Sequence, residues 1–180
     1  MIAARFLLKD DGGKFALTGR PFAIRLLYYM WNKTFYDDGL KFSCQRCSMC
    51  CRAGPGFVFL SREDAETISR SLNMPLNEFI QVYCRWVHWE DGQRLSLKEK
   101  TSLDCIFWDE GCSIYEARPV QCRTYPFWEA MLASEEAWRR IGFDCPGAGN
   151  GSLVCKDFIE LCMNLDSANP IMMKTDFTGN

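Results

Sequence analysis

Histidine is almost missing from this chain: His88 is the one imidazole in 180 residues. A metal site built here is therefore sulfur-rich by arithmetic. Nucleophilic catalysis by a Cys/His pair has only His88 to draw on, and no local motif marks it as a base. No apolar run reaches the roughly 18–20 residues that cross a bilayer, which predicts no membrane span. Net charge is −2, so no whole-chain field draws the protein to nucleic acid. No glycine-rich phosphate loop or dinucleotide fingerprint occurs, nor any internal repeat, low-complexity segment or linker. The first residues lack the apolar core and cleavage site of a secretory signal. The thiols are thus expected in a reducing cytoplasm, where clustered cysteines point to metal or redox chemistry.

What the chain has is cysteine, 11 in all. The odd total leaves one unpaired even if the others formed bridges. Cys44, Cys47, Cys50 and Cys51 follow one another as C-x2-C-x2-C-C. C-x2-C lets a chain curl two thiolates onto one metal, and a third cysteine extends the curl as in loops that wrap iron–sulfur clusters. A second, dispersed group comprises Cys105, Cys112, Cys122 and Cys145. Cys84, Cys155 and Cys162 fall on expected helices and read as packing residues. The eight remaining thiolates make two four-thiolate sites, one site with four spare cysteines, or one polynuclear centre. Extended neighbours point to opposite faces, so Cys50 is expected to join Cys44 and Cys47 while Cys51 turns toward the second group.

Four thiolates leave a zinc or an oxidised 4Fe–4S centre with a charge of about −2, costly to bury without compensating donors. Arg46 and Arg52 lie beside the first group, Arg118 and Arg123 beside Cys122. The last two are expected behind the ligands, offsetting that charge. Soft thiolates suit zinc and iron alike. One dense run with four dispersed cysteines tilts the reading toward iron–sulfur, whereas two separate C-x2-C pairs would favour zinc.

The pattern predicts an α+β fold, one small domain over residues 1–180 with short strands and several helices around the metal. Residues 42–146 form its core, with an N-terminal hairpin and helix and a C-terminal helix packed on it. The hairpin is expected over 5–18, turning at Asp10-Asp11-Gly12-Gly13, and the helix over Pro21–Tyr36. Gly54-Pro55-Gly56 marks a loop and Phe57–Leu60 a buried strand. Ser61 with Asp64 forms a capping box for a helix to Leu72. Pro75 opens a second helix from Leu76 to about Val87, and Arg94–Lys98 alternates as a strand. Cys105 and Cys112 flank a hairpin at Asp109-Glu110-Gly111. A polar helix follows over 129–141, then a glycine-rich exit at Cys145-Pro146 and an amphipathic helix over 153–165. The last ten residues are expected to fray. Tyr83, Trp86, Trp89, Tyr125 and Trp128 are candidates to line a pocket.

Four features together carry a resemblance. They are the Cys44–Cys51 run, Gly56-Phe57-Val58-Phe59-Leu60 with Asp64, Cys105 followed by Cys112-x-Ile114-Tyr115, and Arg118-Pro119 followed by Cys122-Arg123-x-Tyr125-Pro126-Phe127. Over residues 42–146 the chain resembles the YkgJ-type cysteine-cluster family, a zinc- or iron-chelating domain of bacteria. The resemblance implies cysteine-ligated metal and leaves the activity undefined. A related cluster occurs in flagellin lysine methylases, which are much longer. Three functions are compatible: an iron–sulfur protein with a redox or enzyme-accessory role, a structural-zinc module that docks a protein partner, and a component of a radical or methyl-transfer enzyme. The last ranks lowest, because radical enzymes space their cysteines C-x3-C-x2-C.

Overall fold

Two small antiparallel sheets and five α-helices make an α+β fold in the computed structural model, which describes residues 33–52 and 54–177. In chain order the elements are β1 (Leu40–Phe42), α1 (Arg62–Ser71), α2 (Leu76–Tyr83), β2 (Cys84–Trp89) and β3 (Gly92–Leu97). Then come α3 (Val120–Thr124), α4 (Glu135–Asp144), β4 (Ala148–Val154) and α5 (Lys156–Ala168). The compact unit that holds them begins at Phe35. The expected hairpin at 5–18 lies outside the described residues, as does most of the helix at 21–36. Its last residues are not helical, since 35–38 form a turn. Among the described residues no helix is long and apolar enough to cross a membrane.

The first core gathers around the β2–β3 hairpin, where Leu60, Ile68, Phe79 and Leu95 are fully buried. Ser61 caps α1 as expected: its hydroxyl accepts from Asp64 N (3.0 Å) and the Asp64 carboxylate accepts from Ser61 N (3.1 Å). The helix from Leu76 stops at Tyr83, short of Val87. Cys84–Trp89 is rich in aromatic and β-branched residues, which favour a pleated surface, and it pairs in register with β3 from Cys84↔Leu97 to Trp89↔Gly92. Cys84 is thus a buried strand residue, not a helical one. Phe57–Leu60 is extended but makes a single bridge, Phe59↔Ser96, and Phe57 is exposed. Phe79 stacks on Tyr83 and Phe107. Phe79→Ala is expected to cost about 3–5 kcal/mol, the usual range for an emptied aromatic site, measured by urea unfolding.

The second core joins Tyr36, Phe127, Trp138, Ile141 and Ile159. The polar helix expected over 129–141 divides into a 3-10 turn, Glu129–Leu132, and α4. The division falls at Ser134, whose hydroxyl caps α4 by accepting from Ala137 N (3.1 Å). The glycine-rich exit continues as a strand, β4, which pairs with β1 from Leu40↔Val154 to Phe42↔Ala148. The C-terminal helix starts three residues later than expected, at Lys156, with Cys155 as its N-cap.

Residues 171–177 do not fray. Ile171 bridges Ser61 and Met173 bridges Arg94. Met172 N donates to Leu60 O (2.8 Å) and its carbonyl accepts from Leu95 N (2.9 Å). The five aromatics proposed as a pocket are dispersed instead. Tyr83 stacks on Phe107, Trp86 meets Phe177, Trp89 meets Phe57 and Phe59, and Tyr125 pairs with Trp128.

Candidate metal centre

β1 delivers the chain to the cysteine run, and two glycines fix where that run begins. A side chain at Gly147 would collide with Ser43 O, and one at Gly151, where φ is +84°, with Ser43 Cβ. Only glycine lets β4 lie this close to the residue before Cys44. Gly151→Ala is expected to displace Ser43 and lower metal content per protein, measured by elemental analysis. The run then curls through left-handed residues, Arg46 (φ 51°) and Ser48 (φ 61°). It closes in a 3-10 turn, Met49–Cys51, with Cys51 N donating to Ser48 O (2.9 Å) and Arg52 N to Met49 O (2.9 Å).

In that turn the Cys50 and Cys51 side chains do not diverge as an extended backbone would make them. Their Sγ atoms are 4.0 Å apart. The expectation assumed an extended backbone. At three residues per turn, neighbours are separated by about 120° rather than 180°, so both sulfurs reach one side. Cys105 N donates to Cys51 O (2.8 Å), which docks the second cysteine segment onto the first. Trp108↔Cys112 is a single bridge around the expected Asp109–Gly111 turn, with Ser113 N donating to Phe107 O (2.9 Å). A 3-10 turn, Tyr115–Ala117, and Pro119 then lead into α3, which carries Cys122.

The thiols affect one another's titration. The hydrogen bond between the Cys50 and Cys51 thiols holds Cys50 below the usual thiol range and raises Cys51. Burial raises Cys105, with the negative charges of Cys112 and Cys50 adding to it. Burial likewise raises Cys112, opposed by Arg118. Cys122 is raised by burial, then by Cys105, Cys50 and Cys112, again opposed by Arg118. Burial raises Tyr125, followed by the influence of Cys145 and Cys50. Cys50, Cys51, Cys105, Cys112 and Cys122 thus lie near enough to influence one another, and Tyr125 is influenced by both buried Cys145 and Cys50. Cys44 and Cys47 are exposed and hydrogen-bond no other thiol.

The cations are anchored by aromatic rings. Arg118 lies over Tyr115 at 3.6 Å and donates Nε–H to its carbonyl (2.8 Å), while Arg46 lies over the same ring at 4.6 Å. Arg52 covers Trp108 at 4.4 Å and reaches Asp104 at 4.0 Å, and Lys100 Nζ donates to Trp108 O. Arg123 is exposed on the surface of α3. Sequence reasoning missed Lys100, Trp108 and Tyr115. Their signal was an aromatic or basic residue within five positions of Cys105 or Cys112. Of the cysteines set aside, Cys84 and Cys162 are buried, and burial pushes Cys84 up to about 12. Cys155, expected to pack, is exposed.

Thiolates are the donors that zinc and iron accept. The 4.0 Å separation of Cys50 and Cys51 is close to the roughly 3.8 Å edge of a tetrahedral zinc–thiolate site. Arg118 and Lys100 supply positive charge beside the donors. The donor set therefore fits a metal. Among the described residues, no three His, Cys, Asp or Glu side chains yet stand in ligating geometry.

An α+β fold that brings thiols from three separated segments together defines a cysteine-rich metal-binding protein. The chain belongs to the CxxCxxCC family, whose model matches residues 43–158 and is described as a putative zinc- or iron-chelating domain. That description is consistent with zinc or an iron–sulfur cluster. The match reaches the first turn of α5, beyond the residue 146 expected from the motifs. No solved structure matches the chain.

Proposed function

We propose that the protein carries a polynuclear thiolate centre, an iron–sulfur cluster, and acts as a redox or accessory component of a modifying enzyme. The supporting observation is the gathering of Cys50, Cys51, Cys105, Cys112 and Cys122, more thiols than one tetrahedral ion takes. Cys44 and Cys47, on the curled loop, and Cys145, beside Tyr125, are the remaining donors within this reading. Arg118 offsets the charge of the ligated thiolates. When bound, the cluster supplies one-electron chemistry. The chain's own residues would hold it and neutralise its charge.

A structural zinc is the second reading, favoured by the 4.0 Å Cys50–Cys51 separation. Anaerobic purification separates the two. Broad absorbance near about 400 nm with iron and acid-labile sulfide is expected for thiolate-bound clusters. A colourless protein with stoichiometric zinc and no sulfide would sink the iron–sulfur reading and establish the other.

A further inference from the structure

A cavity of about 460 Å³ opens where the start of α1, the segment around α3 and the end of α5 meet. Arg118 and Arg123 line it, with Thr67 and Asn164 as further polar groups and Leu161 and Leu165 as an apolar wall. Among the described arginines, Arg52, Arg62, Arg70, Arg85, Arg94, Arg139 and Arg140 each pair with a carboxylate. Arg46, Arg118 and Arg123 do not, and two of these three line this one cavity. Arg118 spends Nε on Tyr115 O and its plane on the Tyr115 ring, leaving its terminal amino groups for a ligand.

The acids nearby do not fill the role of counter-ion. Asp64 also lines the cavity, but it is buried and its oxygens are committed to Ser61, Val120 N and Asn169. Glu63 is exposed and pairs with neither arginine. The volume lies within the roughly 300–1,000 Å³ of small-molecule sites, and a forked guanidinium matches the geometry of a carboxylate or phosphate.

We propose that this cavity binds a small organic oxyanion, a carboxylate or phosphate monoester with an apolar body, through Arg118 and Arg123. Leu161 and Leu165 take the body. Because Arg118 also acts on Cys50, Cys112 and Cys122, the ligand would sit beside the thiol centre. Its role as substrate or effector rests on the metal reading, whereas its binding rests on the cavity and the unpaired arginines alone.

The test titrates the anaerobically purified protein with octanoate, phenyl phosphate and inorganic phosphate, following ¹H–¹⁵N shifts of the arginine side chains and Asn164. Saturable shifts at Arg118, Arg123 and Asn164 are expected with octanoate or phenyl phosphate. Arg123→Gln removes a side chain without protein partners and is expected to weaken binding about tenfold, the worth of a charge-assisted hydrogen bond. Arg139→Gln, the same charge change on α4, should leave binding unaltered. Absence of saturable shifts, undiminished binding in Arg123→Gln, or equal weakening in Arg139→Gln would overturn the site. Inorganic phosphate binding as tightly as phenyl phosphate would overturn the role of the apolar wall. Metal content measured on the same samples keeps the two proposals apart. A metal-free protein that binds the anion defeats only the metal reading, and a loaded protein that ignores it defeats only the cavity.

Discussion

Cys122→Ser is expected to lose bound metal and its cooperative melting transition, while Cys155→Ser melts close to the unsubstituted protein. Cys122 sits on α3 among the thiols of Cys50, Cys105 and Cys112, whereas Cys155 is an exposed N-cap whose side chain caps nothing. A metal that binds only the folded chain contributes its binding free energy to folding, about 10–16 kcal/mol for structural zinc in small domains. That rivals the whole stability of a domain, roughly 5–15 kcal/mol. Cys47→Ser is the sharper case. Cys47 is exposed and hydrogen-bonds no other thiol, so packing gives no reason for its loss to matter. A melting point as low as that of Cys122→Ser would report ligation. Calorimetry with metal analysis on all three variants decides it, and equal melting throughout would refute the division.

Asp64→Ala is expected to destabilise the fold by roughly 3–5 kcal/mol, since four buried or part-buried donors lose a charged acceptor together. Asp64 Oδ2 accepts from Ser61 N (3.1 Å), Ser61 Oγ (2.8 Å) and Asn169 Nδ2 (2.9 Å), and Oδ1 from Val120 N (2.9 Å). One carboxylate therefore ties the start of α1 to the start of α3 and the end of α5. Asp64→Asn should rescue little, because its amide would turn a donor toward donors. Asp157→Ala, an exposed acid in the first turn of α5, should cost less than about 1 kcal/mol. Urea unfolding of the three variants is the measurement. A cost for Asp64→Ala no larger than for Asp157→Ala would remove Asp64 from this role.

Local chemistry explains what could be read from the sequence. The Ser61–Asp64 box and Pro75 are short-range signals, and both helices start where those residues direct. Misreadings arose where a long-range partner decides. Trp86–Trp89 could continue a helix by pattern alone, but β3 lies ready to pair with it. Ala148–Val154 contains three glycine or asparagine positions that suit a loop, and becomes a strand only because β1 runs beside it. At the site, the types of the donors were legible from C-x2-C spacing. The sharing of sides by Cys50 and Cys51 was not, because it depends on a 3-10 turn entered through left-handed Arg46 and Ser48. The four hydrogen bonds on Asp64 likewise needed Asn169, 105 positions away.

The pairing of Met172 with both Leu60 and Leu95 has a consequence for the order of events during synthesis. Every cysteine of the proposed centre leaves the ribosome before Met172 does, because translation runs from Cys44 to Cys145 and only later to α5. The wall that Met172 adds to the first core, and the backbone bonds it closes on both sides, are therefore missing while the thiols first become available. Early capture of metal would take place on a nascent chain whose neighbouring core is still open on one side. Contacts spanning so many positions also form slowly, since a long loop must close before they are made.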